Sequence, residues 1–185
     1  MMSHLDYEIN KELGECYLFM GELDKAEDYY KKAAGSNGVH PDPYIGLATI
    51  AIQRGEYDSA MTLYEKAHSV EVTDKSFAGM GLIQMETSKK IDAFASFSEA
   101  LSINPSNMVA LFGIIRIGHE AEMVAEAVPF LERFLEIEPE KHEVRYSLAG
   151  CFICMDMKDE AVQQLEMILE MDPANAAAKE LLEQI

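Results

Sequence analysis

Apolar residues recur along the chain at spacings of three and four, in runs of about a dozen residues separated by turns. The first clear unit reads Leu13-Gly14-Glu15-Cys16-Tyr17-Leu18-Phe19-Met20, turns at Gly21, and continues through Leu23, Ala26, Tyr30 and Ala33. That spacing predicts two short amphipathic helices joined at Gly21. The second-helix alanine then recurs at Ala26, Ala60, Ala93, Ala127 and Ala161, at intervals of 34, 33, 34 and 34. Four residues after each stands a large side chain: Tyr30, Tyr64, Phe97, Leu131 and Leu165. Twelve residues after the last three alanines stands a proline: Pro105, Pro139 and Pro173. Five copies in phase carry far more weight than any one of them.

Each recurring position has a physical reason. A small residue lets the second helix approach the first, and the large residue one turn later fills the space beside it. The proline ends the second helix and holds the residue before it extended. First helices are predicted over about 7–20, 41–54, 74–87, 108–121 and 142–155, and second helices over about 23–34, 57–69, 90–103, 124–137 and 158–171. The repeats are therefore about 7–40, 41–73, 74–107, 108–141 and 142–175, in one domain spanning 1–185. In the first repeat, Gly35-Ser36-Asn37-Gly38 is expected to cap and end the second helix. Pro129 is expected to delay or kink the fourth second helix. The turn glycines Gly21 and Gly55 give way to Ser88, Glu122 and Asp156 in the later copies. Residues 176–185 add a short helix, too short for a sixth repeat, expected to cover the end of repeat five or else to be a truncated further unit.

Composition supports helix throughout: half the residues are hydrophobic, prolines number only 6, and tryptophan is absent. The net charge of −18 argues against nucleic acid, whose binding rests on Lys and Arg neutralising phosphates, and against an anionic membrane surface. An acidic surface serves solubility first. The stretch 120–140 carries seven glutamates against Arg133 alone. It reads as a solvated outer face, or as a patch that steers a basic partner. No basic segment followed by an apolar run opens the chain, and no run reaches the roughly 18 apolar residues of a membrane span. The 3 cysteines form no spaced framework, which suits a reducing compartment. A cytoplasmic location is expected.

The helix Leu13-Gly14-x-x-Tyr17 followed by Ala26-x-x-x-Tyr30, in a unit of about 34 residues, resembles a tetratricopeptide repeat. The resemblance covers about residues 7–185. It implies an all-α fold, a right-handed superhelical α-solenoid of antiparallel helix pairs. In that family first helices line a concave groove, and most members are adaptors, scaffolds or chaperones. Groove positions carried over from the family fall on Lys11, Leu18 and Phe19 in repeat one, and on Ile45, Thr49 and Ile52 in repeat two. They fall on Leu82 and Met85 in repeat three, on Phe112, Arg116 and His119 in repeat four, and on Tyr146 and Ile153 in repeat five. Glu15 and Glu143 hold further groove positions. The family's carboxylate clamp is rejected: Lys11 and Lys75 match it, but Glu15, Gly46 and Gly79 stand where asparagine, asparagine and arginine are needed.

What the resemblance implies is an apolar-floored groove that holds a peptide or helix of a partner protein, with aromatic and Met anchors. Alternatively these side chains are core, or the groove serves a second copy of the chain or shields a cargo segment as a chaperone does. The expected partner is a protein or peptide segment, in one version with a basic patch; nucleic acid and membrane insertion are not expected. Cys151-x-x-Cys154 has metal or redox spacing but no second pair and no adjacent histidine, so two small residues in packing slots is the preferred reading. No phosphate loop, catalytic triad or carboxylate pair is present to suggest an enzyme, and no cofactor is implied.

Overall fold

The computed structural model describes residues 4–37 and 39–185, and these hold eleven α-helices and no strand. In order they are α1 (His4–Phe19), α2 (Leu23–Asn37), α3 (Asp42–Gln53), α4 (Tyr57–Val70), α5 (Asp74–Glu86), α6 (Lys90–Ile103), α7 (Met108–Glu120), α8 (Val124–Ile137), α9 (His142–Cys154), α10 (Lys158–Met171) and α11 (Ala176–Glu183). They match the predicted alternation of first and second helices. No helix among the described residues is long and apolar enough to cross a membrane. Two compact units emerge, residues 1–103 with α1–α6 and residues 104–185 with α7–α11.

The recurring positions do the work their chemistry suggests. Ala26, Ala60, Ala93, Ala127 and Ala161 are all buried, as are Tyr30, Tyr64, Phe97, Leu131 and Leu165 one turn later. In the N-terminal unit the aromatic rings lie against glycines of first helices. Tyr30 of α2 faces Gly14 of α1 and Gly46 of α3; a Cβ at Gly14 would stand 2.8 Å from Tyr30 Cδ1, and one at Gly46 would overlap the ring outright. Tyr64 of α4 covers Gly79 of α5 in the same way, and Phe97 of α6 lies against Gly81, where a Cβ would meet Cε1 at 2.6 Å. These glycines are there because an aromatic ring occupies the space of a side chain. In the C-terminal unit the core is largely aliphatic, built on Ile114 and Ile117 of α7, Leu131 of α8, Val144 and Leu148 of α9, and Leu165 and Ile168 of α10, with Phe134 and Phe152 among them. Arg145 is buried among them; its guanidinium donates to Gln164 Oε1 at 2.8 Å and to the Pro139 carbonyl at 2.9 Å, tying α9 to α10 and to the turn before α9. Burial without a full set of partners pushes its pKa down.

The turn between first and second helix is the same in all five repeats, although its residue type is not. Gly21 and Gly55 have φ of 76°, and Ser88, Glu122 and Asp156 adopt φ of 62°, 58° and 59°. In each case the next residue's N–H reaches back five residues: Glu22 to Tyr17 O, Glu56 to Ala51 O, Lys89 to Gln84 O, Met123 to Gly118 O and Met157 to Phe152 O, at 2.7–2.9 Å. This is the six-to-one bond of a Schellman cap, which needs a left-handed residue. A side chain costs about 1–2 kcal/mol there, and glycine costs about 0.5–1 kcal/mol in unfolded-state entropy. Glu122→Gly and Ser88→Gly are therefore expected to stabilise their units by about 0.5–1 kcal/mol, and Asp156→Gly by less, since aspartate tolerates the left-handed region better. Urea unfolding midpoints check this; a loss of stability at Glu122→Gly would contradict it.

Two local expectations turn out differently in the structure, one at the end of α2 and one at Pro129. The helix α2 runs on through Asn37, so Gly35 does not cap it. Gly35 meets nothing within 4 Å, and an exposed glycine costs a helix only about 1 kcal/mol. Gly38, the last residue of that expected loop, lies outside the described residues, as do Met1–Ser3. Pro129 does not delay α8, which begins at Val124 with the proline inside it. As the sixth residue of the helix it forfeits one backbone bond, the one that would reach the Ala125 carbonyl, on an exposed face. The helices α6, α8 and α10 each end two residues before Pro105, Pro139 and Pro173, as the proline rule requires.

Candidate functional site

In the N-terminal unit, several side chains at groove positions are held by their own neighbours. The ammonium of Lys11 pairs with Glu8 at 3.0 Å, and that bond raises its pKa. Leu18 packs against the buried set Ala26, Tyr30 and Ile50. Ile45 and Ile52 pack against Ala48, Ala51, Ala60, Tyr64 and Ile83. The Thr49 hydroxyl donates to the Ile45 carbonyl at 2.9 Å and sits 3.3 Å from Tyr64 Oη. Leu82 and Met85 are half-buried. Phe19 is 95% exposed, at the last residue of α1. Leu18, Ile45 and Ile52 thus lean on the core, while Phe19 stands clear of it.

The C-terminal unit brings two candidates together. Phe112 of α7 and Tyr146 of α9, 46% and 37% exposed, line one cavity of about 580 Å³. Its other walls include His142 and Glu143 at the start of α9, Ile168 of α10, and Asp172, Asn175 and Ala177 around the start of α11. Cap residues hold this rim in place: Asn175 Oδ1 accepts from the Ala178 N–H at 3.0 Å, and Asp172 Oδ1 accepts from the Ala174 N–H at 3.1 Å. The other candidates of this unit lie elsewhere. Arg116 Nε donates to Glu120 Oε1 at 2.9 Å one turn on. Ile153 is half-buried.

His119 corrects an expectation about the cysteine pair. Cys154 does have a histidine neighbour, brought to it by the fold: its Sγ lies 3.8 Å from His119 Nδ1. Cys151 is buried, and burial together with the Cys154 thiol pushes its own thiol up to about 11. Among the described residues no group of three or more His, Cys, Asp or Glu could hold a metal ion.

Asp172, Asn175 and Ala177 are not among the sequence-predicted site residues, because a short last helix reads first as a cover and only second as a further unit. Yet the signal was present. Pro105-Ser106-Asn107 opens α7 and Pro173-Ala174-Asn175 opens α11. Asn107 and Asn175 both cap by accepting from the N–H three residues on, at 2.9 and 3.0 Å. Ala110 and Ala178, at those positions, are both fully buried. By register α11 is a sixth first helix, and Ala177 holds its second position.

Comparison with known proteins agrees with the helix pairs. Tetratricopeptide repeat models match residues 7–69 and 118–185. The chain belongs to the tetratricopeptide repeat family. Membership places it among repeat scaffolds that act through protein–protein contacts. It is 31% identical over 112 residues to the bovine (Bos taurus) BBSome complex member BBS4, covering 60% of this chain and 21% of that protein. It is 27% identical over 131 residues to anaphase-promoting complex subunit 3 of Schizosaccharomyces pombe, covering 70% of this chain and 20% of that one. The chain thus spans about a fifth of the length of these curated relatives. Among solved structures it is similar to YrrB, a tetratricopeptide protein with an unusual peptide-binding site, with a TM-score of 0.68 and 17% identity over 95% of this chain and 91% of that one.

Tetratricopeptide geometry also explains why the carboxylate clamp is missing. Two of the positions it would need are Gly46 and Gly79, and the rings of Tyr30 and Tyr64 fill the space beside them. No clamp side chain fits there without moving a buried tyrosine.

Proposed function

We propose that the chain is a non-enzymatic scaffold that holds a peptide or helix of a partner protein against the exposed apolar side chains of its first helices. The observation that carries this reading is the pair Phe112 and Tyr146. They line one cavity and remain substantially exposed, in a unit where Phe134 and Phe152 are buried in the core. Large aromatic surface left in water is favourable to bury on binding, and aromatic residues dominate the energetics of protein interfaces. The similarity to YrrB, itself described as having a peptide-binding site, is in keeping with this use of the fold.

The test is capture of a partner from the source cell by immobilised chain. Phe112→Glu places a charge in the cavity and is expected to reduce capture at least tenfold, a loss of about 1.4 kcal/mol or more. Stability should be nearly unchanged, because the side chain is already half in water. Ile91→Glu, on the exposed side of α6, should leave capture as it was. Equal capture by wild type and Phe112→Glu would overturn the reading.

A further inference from the structure

We propose that the cavity of the C-terminal unit receives a lysine or arginine side chain of the partner segment, its alkyl stem against Phe112 and Tyr146 and its charged head toward Glu143 and Asp172. This inference rests on the reading of Phe112 and Tyr146 as a docking surface.

Three features of the lining point to a cation. Its two carboxylates, Glu143 and Asp172, face no lysine or arginine among the lining residues. Lys141, on the turn before α9, is engaged with Glu138 at 3.5 Å, and the one basic group in the lining is the imidazole of His142. Its aromatic walls offer ring faces that attract cations and a surface on which a methylene stem can lie.

The opposing effect is the pair of helix N-termini at the rim, those of α9 and α11, which favour anions. Each is worth about half an elementary charge and fades within a turn. Part of that charge is already answered, since the Asp172 and Asn175 side chains accept backbone N–H groups there. Two full carboxylate charges, beside the C-terminal end of α10 at Met171, outweigh what is left. At about 580 Å³ the cavity has room for a long side chain. The surrounding charge of −18 raises the local concentration of basic segments.

The experiment uses three small probes, the Nα-acetyl methylamides of lysine, norleucine and glutamate, titrated into the ¹⁵N-labelled full chain. Backbone amide shifts of Tyr146, Ser147 and Ala177 report on the cavity; those of Ala26 and Ala60 in the N-terminal unit serve as the reference. The lysine probe should give saturable shifts confined to the cavity, with affinity about tenfold above that of norleucine at low salt. The glutamate probe should give none. High salt should bring lysine toward norleucine, and so should Glu143→Gln combined with Asp172→Asn. Equal binding of norleucine and lysine would overturn the cation and leave an apolar docking site standing. Tighter binding of glutamate would replace it with an anion site. If no probe shifts the cavity while Phe112→Glu still abolishes capture, the inference fails and the docking reading survives. If the lysine probe binds but Phe112→Glu leaves capture intact, the docking reading fails and the cavity is a cation site that the partner segment does not use.

Discussion

Gly79→Ala is expected to destabilise the N-terminal unit by about 2 kcal/mol, although alanine is the better helix former. In an open helical site the change gains about 1 kcal/mol. At Gly79 the new methyl overlaps the ring of Tyr64, and overpacking a closed core typically costs about 1–3 kcal/mol, occasionally more. The ring has no easy escape. Tyr64 is buried among Ala48, Ala51, Ala60 and Ile83, and its hydroxyl sits 3.3 Å from Thr49 Oγ1. Gly46→Ala should behave alike against Tyr30. Gly35→Ala is the control: it lies within α2 with nothing inside 4 Å, and should gain stability. Chemical unfolding of the three variants checks the order. Shrinking the ring as Tyr64→Leu in the Gly79→Ala background should recover part of the loss, because the two sites touch. A stabilised Gly79→Ala would mean that the ring does not occupy that space.

Raising the pH from 10 to 12 is expected to unfold the N-terminal unit. The phenols of Tyr7 and Tyr30 are pushed up to about 12, chiefly by burial, with Asp42 adding to both, Glu8 to the first and Glu15 to both. Tyr64 is raised for the same first reason. A tyrosine in the unfolded chain loses its proton near 10. Between those values the unfolded chain has released protons that the folded chain still holds, so stability falls as pH rises. The contribution is complete below pH 10 and gone by about 12. It amounts to about 2–3 kcal/mol for each of Tyr7 and Tyr30. Tyrosinate absorbance followed beside helical circular dichroism should show exposed phenols titrating first and the buried ones only as helix is lost. Tyr30→Phe should move the alkaline midpoint upward. If all 8 tyrosines titrate near pH 10 with helix intact, burial at Tyr7 and Tyr30 is not as described.

The fold was legible because its repeating positions each carry a single physical demand. A buried alanine and a large residue one turn later recur in phase, and no other arrangement satisfies all five copies. The turn residues were less legible. Ser88, Glu122 and Asp156 hide the left-handed turn that Gly21 and Gly55 announce, because the Schellman bonds and the packing of both helices impose it regardless of residue type. The candidate site was the least legible. Helical period places Leu18, Ile45 and Ile52 on a first-helix face but cannot say whether a neighbouring helix covers them, and here each leans on the core. Phe112 and Tyr146 share the same periodicity and stay exposed. Asp172, Asn175 and Ala177 join them through the cap that repeats the one before α7, a signal visible only when the last helix is aligned with the earlier first helices.

A partner segment that docks on the first-helix side of the C-terminal unit should be visible by amide shift mapping of the labelled chain against that captured segment. Perturbations should cluster on Phe112, Tyr146 and Ala177 and be lost in Phe112→Glu. Perturbations that cluster on the glutamates of α8, at Glu132 and Glu136, and leave the cavity unmoved would contradict it.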